Sequence, residues 1–290
     1  MALTRDEAIS FITDVLGVPR IIYISEGDKL FFLNEIIGAF QREIPFQTIT
    51  ACGIAREDRH LPTWSEIKKD VFNKTGGICY QLHVFLKELL AALGYEIYYV
   101  KATIIMPFDH IGLVVKNVTH NGSKHLVEAA GFPTFQAIPL DFEGFSEVYN
   151  RSFLRQMFQK TKEGTVLWYH EDRYDPLPLA KYQKTHNGFY KFAEYDINTP
   201  YSFEPFRPYL ERCFTEDEYS FVLSTPKAVR FVDQKLISVK MGSYLSEDPY
   251  KRMKTDEIKD LQEYTDLFSR HFPDIPLTIV TEVAQRYKIF

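Results

Sequence analysis

The sequence has few cysteines, no long apolar run and no excess of basic residues. Its three cysteines, Cys52, Cys79 and Cys213, cannot form an even-numbered disulfide framework and are typical of a reducing compartment. No apolar stretch approaches the roughly 18 residues that a membrane-spanning helix requires. The first residues, MALTRDEAIS, carry charges where a secretion signal would be apolar. These absences predict a cytoplasmic protein that is not inserted in a membrane.

The charge balance and the missing motifs remove further partner classes. Lysine and arginine number 34 against 39 aspartates and glutamates, which gives a formal net charge of −5. This balance predicts no basic surface for nucleic acid or for an anionic membrane. The sequence also lacks a GxGxxG fingerprint and a P-loop, so the nucleotide sites that depend on them are not expected.

The first third of the chain has the pattern of a helical bundle. Two capping boxes precede apolar residues that recur every three or four positions, which is typical of core-facing helices. These boxes are Thr4 with Glu7 and Thr63 with Glu66. The same spacing predicts a helix around 30–40 and another that begins at Cys79 and ends at Gly94.

Beyond Gly94 the chain changes to short segments rich in Ile, Val and Tyr, which predict antiparallel strands. The turns are expected at 107–109 and at 119–123, where Asn-Gly occurs. The expected strands are 96–106, 111–118, 124–130, 166–170 and 189–195.

A boundary is predicted near residue 200, where Thr-Pro-Tyr occurs. A β-meander should follow, and then two helices, the first capped by Thr255. The expected strands of the meander are 219–223, 228–232 and 236–241.

The double glycine Gly76–Gly77 and the nearby Cys79 are the stretch that most suggests chemistry. Glycine has no Cβ, so the backbone there can turn tightly and approach a ligand. Cys79 falls in the first turn of its helix, where free N–H groups and the helix dipole favour a thiolate. Such a thiol is a candidate nucleophile, although a buried structural cysteine is the commoner case.

A thiol nucleophile needs a base and an orienting acid, and His110 and Glu128 follow Cys79 in the order found in papain-like thiol enzymes. The five-residue loop 119–123 would place both side chains on one face and pair Glu128 with residue 114. His110 would then lie four residues away, on the order of 13 Å along the strand. We therefore expect a bulge or unpaired residues between His110 and Glu128.

Four sequence elements, which follow one another along the chain in the family's order, resemble those of the arylamine N-acetyltransferase family. The run GGICYQ at 76–81, followed by a leucine-rich helix ending LGY at 93–95, is similar to the family's Gly-Gly-x-Cys-x-(Glu/Gln) motif. HIGLVV at 110–115 resembles its histidine strand. LVEAAGF at 126–132 resembles its Val-Asp-x-Gly-Phe element with one extra residue, and IPF at 44–46 matches its Ile-Pro-Phe. The likeness is specific over about residues 44–142 and extends less specifically over the whole chain, including the C-terminal third.

The resemblance implies an α+β fold of three parts, arranged as in cysteine proteinases. A helical bundle over residues 1–94 would carry the nucleophile. An antiparallel β-barrel over residues 95–200 would carry the histidine and the acid. An α/β lid over residues 201–290 would complete the molecule.

The resemblance also implies ping-pong acyl transfer from acetyl-CoA, or another acyl-CoA, to a small-molecule amine: an arylamine, hydrazine or hydroxylamine. His110, oriented by Glu128, would keep Cys79 as a thiolate that attacks the thioester, and the amine would then attack acyl-Cys79. No metal is expected. The residues expected to bind substrate or CoA are Gly76, Gly77, Gln81, Phe108 and Phe132.

Departures from the family pattern leave other activities open. A thioester or amide hydrolase would use the same triad with water in place of the amine. A catalytically silent relative would bind only CoA or a small aromatic ligand. Cys79 and His83, four apart on one helix, have a spacing that can hold a metal, but a second ligand pair is missing from the sequence. The departures are Thr75 for Arg, Ile78 for Trp, His83 for Asn, Glu128 for Asp and Pro133 for Gly.

Overall fold

In the computed structural model, the helices lie in the N-terminal third of the chain and again after residue 200. The structure describes residues 2–19, 28–171, 185–217, 219 and 221–290. Within these ranges no helix is both long enough and apolar enough to cross a bilayer. Short 3₁₀ turns occur at Arg56–Asp58 and Glu204–Phe206. The helices are α1 Arg5–Ser10 (continued by a π-helical turn, Phe11–Val15), α2 Lys29–Glu43, α3 Ile49–Gly53, α4 Trp64–Phe72, α5 Cys79–Ala92, α6 Arg207–Thr215, α7 Phe221–Ser224, α8 Leu261–His271 and α9 Leu277–Arg286.

The strands in these ranges form two antiparallel sheets. The strands are β1 Phe46–Gln47, β2 Glu96–Thr103, β3 Pro107–Lys116, β4 Lys124–Val127, β5 Ile138–Pro139, β6 Tyr149–Arg151, β7 Leu154–Lys160, β8 Val166–Glu171, β9 Thr185–His186, β10 Phe189–Tyr195, β11 Lys227–Val232, β12 Lys235–Lys240, β13 Ser243–Glu247 and β14 Met253–Glu257. The larger sheet has the order β5-β4-β3-β2-β10-β8-β7-β6, with β9 paired to β10, and the smaller has the order β1-β11-β12-β13-β14. Among the described strands β5 and β6 do not pair, so closure of a barrel remains an expectation.

Both faces of β3 are buried, because its side chains alternate between two cores. Ile111 and Leu113 join the core formed with the N-terminal helices, where Phe85 of α5 is also buried. Val114 joins a second core around Trp168 on the other face. The strand therefore connects the helical part of the molecule with the interior of the larger sheet.

The capping boxes at Thr4 and Thr63 are confirmed, but several boundaries differ from the expectation. The turn between β2 and β3 lies at 104–106 rather than at 107–109. Its three N–H groups, from Ile104, Ile105 and Met106, all donate to the Asp109 carboxylate at 2.7–2.9 Å. This capped turn leaves Pro107 to Asp109 within β3.

Two C-terminal predictions were wrong. The segment 219–223 was expected to be a strand, yet Phe221–Ser224 form the short helix α7, while residues 218 and 220 lie outside the described residues. A short apolar run does not distinguish a strand from a buried helix. Thr255 was expected to cap a helix but lies in β14. The helix begins at Leu261, where the Asp260 side chain accepts a hydrogen bond from the Glu263 N–H.

The C-terminal sheet includes a strand from the N-terminal third. β1 pairs with β11 through Phe46↔Val229 and Gln47↔Ala228. On its other side β1 contacts the double-glycine loop, since the Gln47 N–H donates to the Gly77 carbonyl at 2.9 Å. One short strand thus connects the C-terminal sheet to the segment that precedes Cys79.

Candidate active site

Cys79 is the first residue of α5, and the loop before it is held by contacts that require glycine. Gly76 has φ +76°, and a Cβ there would lie 2.0 Å from the Pro45 carbonyl oxygen. A Cβ at Gly77 would lie 2.5 Å from the Gln81 side chain. That side chain caps the helix, because its Oε1 accepts the Ile78 N–H at 2.9 Å. The two glycines therefore allow the chain to pack on itself and present Cys79 at the helix N-terminus.

His110 lies between Cys79 and Glu128. Its Nε2 atom is 2.8 Å from Glu128 Oε2, and the Cys79 side chain is close enough to the same ring to affect its pKa. Burial by itself would lower the pKa of His110, but the Glu128 carboxylate and the Cys79 thiolate outweigh it and raise that pKa well above its ordinary value. The arrangement favours the protonated form of His110.

Four polar groups surround the Glu128 carboxylate, which is 1% exposed. Oε2 accepts from His110 and from the Tyr195 hydroxyl at 3.0 Å. Oε1 lies 3.1 Å from His83 Nε2 and accepts the Ala130 N–H at 3.3 Å. Burial alone would raise the pKa of Glu128, but His83 and His110 hold it well below its usual range. Glu128 is therefore an ionised partner for His110.

The strand register that brings the acid to His110 differs by two residues from the expected one. β3 and β4 pair through Leu113↔Val127 and Val114↔Leu126, and the loop between them spans 117–123. Continued by one residue, this register would place Glu128 beside Gly112, two residues from His110 on the same face. The expectation that His110 and Glu128 share one face of the sheet is confirmed, whereas the expected pairing of Glu128 with residue 114 was wrong. Glu128 lies just beyond the last paired residue of β4, in agreement with the expectation of unpaired residues in this region. The bulge in this region lies before His110, where the β2–β3 register shifts between Ala102 and Thr103.

The segment after Glu128 is held by two buried glutamines. Gln41 of α2 donates to the Phe132 carbonyl at 2.6 Å and accepts the Phe135 N–H at 2.7 Å. Gln156 of β7 donates to the Pro133 carbonyl at 2.9 Å. These contacts attach the acid-bearing loop to both the helical bundle and the larger sheet.

Tyr195 was missed by the sequence reasoning, which treated 189–195 only as a strand. Tyr195 is opposite Ala102 in the sheet, and Ala102 is opposite His110. Its ring has room because Gly112 lacks a side chain: a Cβ at Gly112 would lie 2.8 Å from Tyr195 Cδ1. No local motif in the sequence signals this contact, since it depends on the order of strands.

The two phenylalanines expected near a substrate lie in aromatic clusters. Phe108, half-buried, has its ring centroid within 5.3–5.9 Å of Phe206, Tyr201 and Tyr209. Phe132, also half-buried, has its ring centroid 4.6 Å from that of Phe192 and also packs close to Trp168 and His170. The participation of Phe108 and Phe132 in substrate binding stays a prediction.

Lys227, the first residue of β11, adds a positive charge near the thiol. Its Nζ lies 5.2 Å from the centroid of the Phe46 ring, and Phe46 in turn packs against Gly131. Burial, and to a smaller extent Lys240, lowers the pKa of Lys227 to about 8, while Cys79 acts in the opposite direction. The charges of Lys227 and Cys79 are thus close enough to interact.

Within the described residues, His83, His110 and Glu128 are the set whose geometry could suit a metal, with ligand atoms within 4.8 Å of one another. Their nitrogen and oxygen atoms already contact one another directly. The cluster is therefore accounted for by hydrogen bonding. The cavity of about 430 Å³ beside Arg42, Phe135 and Gln234 contains none of these three residues.

The sequence profile of a family described as N-acetyltransferase matches residues 29–273 of the chain. No curated protein matches it by sequence. Solved structures match nearly the whole chain, but at low sequence identity, so these matches show the fold alone.

Three of these structures illustrate the agreement. The Mycobacterium marinum arylamine N-acetyltransferase in complex with CoA has a TM-score of 0.75 at 14% identity, covering 96% of this chain and 98% of that one. The enzyme from M. tuberculosis has a TM-score of 0.71 at 16% identity, covering 95% and 99%. Arylamine N-acetyltransferase C from Bacillus anthracis has a TM-score of 0.68 at 15% identity, covering 95% and 100%.

Proposed function

Because the chain belongs to the arylamine N-acetyltransferase family, we propose that it moves an acyl group, most simply acetyl, from acyl-CoA to an arylamine, hydrazine or hydroxylamine through acyl-Cys79. The family assignment makes the chain an acetyltransferase. The mechanism rests on one observation above all: the buried ring of His110 is hydrogen-bonded to Glu128 and interacts with Cys79, which stands at a helix N-terminus. The CoA complex of the M. marinum protein, which has the same fold, supports CoA as the carrier of the acyl group.

In the first half-reaction the Cys79 thiolate attacks the thioester carbonyl. The N–H groups at the start of α5 are placed to stabilise the oxyanion. The carbon–sulfur bond to CoA then breaks, and His110 supplies the proton for the departing thiolate. One thioester replaces another, so this step is close to thermoneutral.

In the second half-reaction the amine attacks the acyl-Cys79 carbonyl. His110 takes the proton from the attacking nitrogen, and Cys79 leaves as a thiolate beside the imidazolium. The product is an amide, which is more stable than the thioester and drives the cycle forward. Glu128 keeps His110 oriented and stabilises its positive charge in both halves.

The division of the chain follows the same proposal. Residues 1–94 supply the nucleophile and residues 95–200 supply His110 and Glu128. Residues 201–290 cover the site, and Lys227 brings part of this segment towards Cys79. Gly76, Gly77 and Gln81 act by shaping the helix N-terminus, and Phe108 and Phe132 by bordering the acceptor. The partners in this proposal are acyl-CoA and a small-molecule amine acceptor, and the proposed location is the cytoplasm.

Intact mass spectrometry after incubation with acetyl-CoA tests this function. We expect a gain of one acetyl group in the wild-type protein and none in Cys79→Ala, while Cys213→Ala should still be acetylated. Release of CoA should then depend on added arylamine. Release without an amine would favour a hydrolase, and the absence of any adduct with acetyl or longer acyl donors would favour a silent relative.

A further inference from the structure

The interior of the larger sheet ends in a cavity of about 310 Å³, where the loop 117–123 meets the turn 161–165. We propose that this cavity is a binding site for a small organic anion, a carboxylate on a compact apolar body, which is recognised by Lys124 and Lys160. The site goes beyond the proposed acyl transfer and does not depend on it.

Both lysines continue rows of side chains that point into the interior of the sheet. Lys124 comes two residues before Leu126 on β4, and Lys160 comes two residues after Phe158 on β7. Side chains two positions apart lie on the same face of a strand. Leu126 and Phe158 belong to the core around Trp168. The two lysines therefore stand at the end of that core, and both line the cavity.

The floor of the cavity is apolar. Leu140 and Ile197 line it, and both are buried members of the same core. A cavity of a few hundred cubic ångströms with an apolar floor and a few polar groups is the usual form of a small-molecule site. The apolar part of a ligand can therefore lie on these two side chains while its charged group faces the lysines.

The described residues do not neutralise the two ammonium groups. Lys124 Nζ lies 3.0 Å from the Asn198 Oδ1 atom and 3.4 Å from the Ile197 carbonyl oxygen, and both are uncharged acceptors. Lys160 Nζ lies 5.7 Å from the centroid of the Phe142 ring. Neither lysine forms an ion pair with a carboxylate in the described part of the chain.

The charges that line the cavity favour a monoanion. Asp141 is the acidic residue among the described residues of the lining, and its side chain is exposed. His120 also lines the cavity. Counted without His120, the lining carries two positive charges and one negative charge. A ligand with one carboxylate balances this excess, and the local positive potential attracts it.

The walls of the cavity are held together by hydrogen bonds between protein groups. Asn198 Nδ2 donates to the Gly164 carbonyl at 3.0 Å, which joins the segment after β10 to the turn between β7 and β8. The Ser123 hydroxyl accepts the N–H groups of Val118 and Thr119 at 3.1 and 3.2 Å. A preorganised site loses little free energy in ordering itself around a ligand.

The cavity is separate from the candidate active site. Lys116, the last residue of β3, pairs with Lys124, and His110 lies six residues earlier on the same strand. Six residues of extended chain span about 20 Å. A small molecule in the cavity should therefore contact neither His110 nor the nearby Cys79.

Benzoate is the probe for this site, since it joins one carboxylate to one apolar ring, and benzamide is its uncharged control. The measurement is a titration of the whole protein followed by ¹H–¹³C NMR of the methyl groups of Leu140 and Ile197. Ile111, next to His110, reports on the active site. We expect saturable shifts at Leu140 and Ile197 with benzoate. Benzamide should bind about fivefold more weakly, the effect of one solvent-exposed charge pair.

Two substitutions should change the affinity in opposite directions. Lys160→Met removes a cation and keeps the length of the side chain, so benzoate should bind about fivefold more weakly. Asp141→Asn removes the opposing charge, so benzoate should bind about threefold more tightly, a change that damage to the fold would not produce. Lys162→Met, exposed in the same turn but outside the cavity, is the matched control and should change the affinity less than about twofold.

Equal affinities for benzoate and benzamide would overturn the proposal, as would an affinity that neither Lys160→Met nor Asp141→Asn changes. Benzoate shifts confined to Ile111 would overturn it as well. Both variants should keep the wild-type rate of Cys79 alkylation by iodoacetamide, and a changed rate would contradict the separation of the two sites. Acetylation of Cys79 is an independent measurement, and its failure would leave the expected shifts unchanged.

Discussion

At the scale of single residues, Lys227 connects the C-terminal sheet with the reactivity of Cys79. Its pKa of about 8 means that it is a cation at neutral pH and largely uncharged above pH 9. As a cation it favours the negatively charged form of the nearby thiol. Its influence on the nucleophile should therefore be confined to the pH range below its own titration.

Lys227→Met removes the charge and keeps the length of the side chain. We expect Cys79 alkylation at pH 7 to slow roughly threefold, the size of a partly screened charge interaction. The ratio of the wild-type rate to the variant rate should fall towards one as pH rises through about 8. Lys235→Met, at an exposed position on β12, is the matched control. If the ratio of wild-type to Lys227→Met alkylation rates stays constant with pH, Lys227 acts by packing and not by its charge.

The sequence was sufficient to propose those site residues that stand in a recognisable local motif. Cys79, His110 and Glu128 could be proposed as a set because each stands in a recognisable local pattern. Tyr195 could not, because its contact with Glu128 depends on β10 pairing with β2. His83 was noticed as a departure and for its metal-like spacing from Cys79, but its contact with the Ala129 N–H could not be predicted, because Ala129 lies 46 positions away.

At the scale of elements, β3 carries both the proposed catalytic residue His110 and a position, Gly112, that has no room for a side chain. Gly112 follows His110 on the same face, and the Tyr195 ring and Val100 occupy the space where its Cβ would be. Both neighbours are buried and have little room to move. The glycine is thus a condition for the Tyr195–Glu128 hydrogen bond.

Gly112→Ala should displace Tyr195 and lower the free energy of unfolding by about 1–3 kcal/mol, as overpacked cores do. It should also slow Cys79 alkylation, because Glu128 loses a donor. Gly38→Ala is the control: its Cβ would lie 3.6 Å from the Phe135 carbonyl oxygen, an ordinary contact, and alanine favours the helix. Urea unfolding and alkylation kinetics check both variants, and unchanged stability in Gly112→Ala would contradict the packing argument.

Element types were easier to predict than element ends. The helices at Thr63 and Cys79 were identified from caps and periodicity, which are local. The turn between β2 and β3 was misplaced because the Asp109 side chain, rather than Pro107, organises it. The helix after β14 was misplaced because Asp260, not Thr255, caps it.

At the scale of the whole molecule, Thr48 joins the N-terminal third to the C-terminal sheet. It is fully buried, its hydroxyl donates to the Thr225 carbonyl at 2.8 Å and it accepts the Lys227 N–H at 3.0 Å. Its own N–H donates to the Lys227 carbonyl at 2.9 Å. These bonds extend the pairing of β1 with β11 by one residue.

Thr48→Val keeps the shape of the side chain and removes the hydroxyl that pairs with two partly buried backbone groups, the Thr225 carbonyl and the Lys227 N–H. We expect the free energy of unfolding to fall by about 2 kcal/mol, because each partly buried group should cost about 1 kcal/mol, the lower end of the range for an unsatisfied buried group. Thr255→Val, exposed on β14, should change it by less than about 0.5 kcal/mol. Urea denaturation should show one transition for both variants. A separate early transition of the C-terminal sheet would contradict the idea that the two parts unfold together.

The position of β1 also has a consequence during synthesis. Phe46 and Gln47 leave the ribosome far ahead of the strand they pair with, since Lys227 comes 180 residues after Gln47. At 5–20 residues per second, that delay is on the order of 10–35 s. Throughout that delay the growing chain has an unpaired strand edge beside the loop that precedes Cys79, which is the kind of edge that promotes aggregation. The protein should therefore emerge without activity and gain it only when its last third has been made.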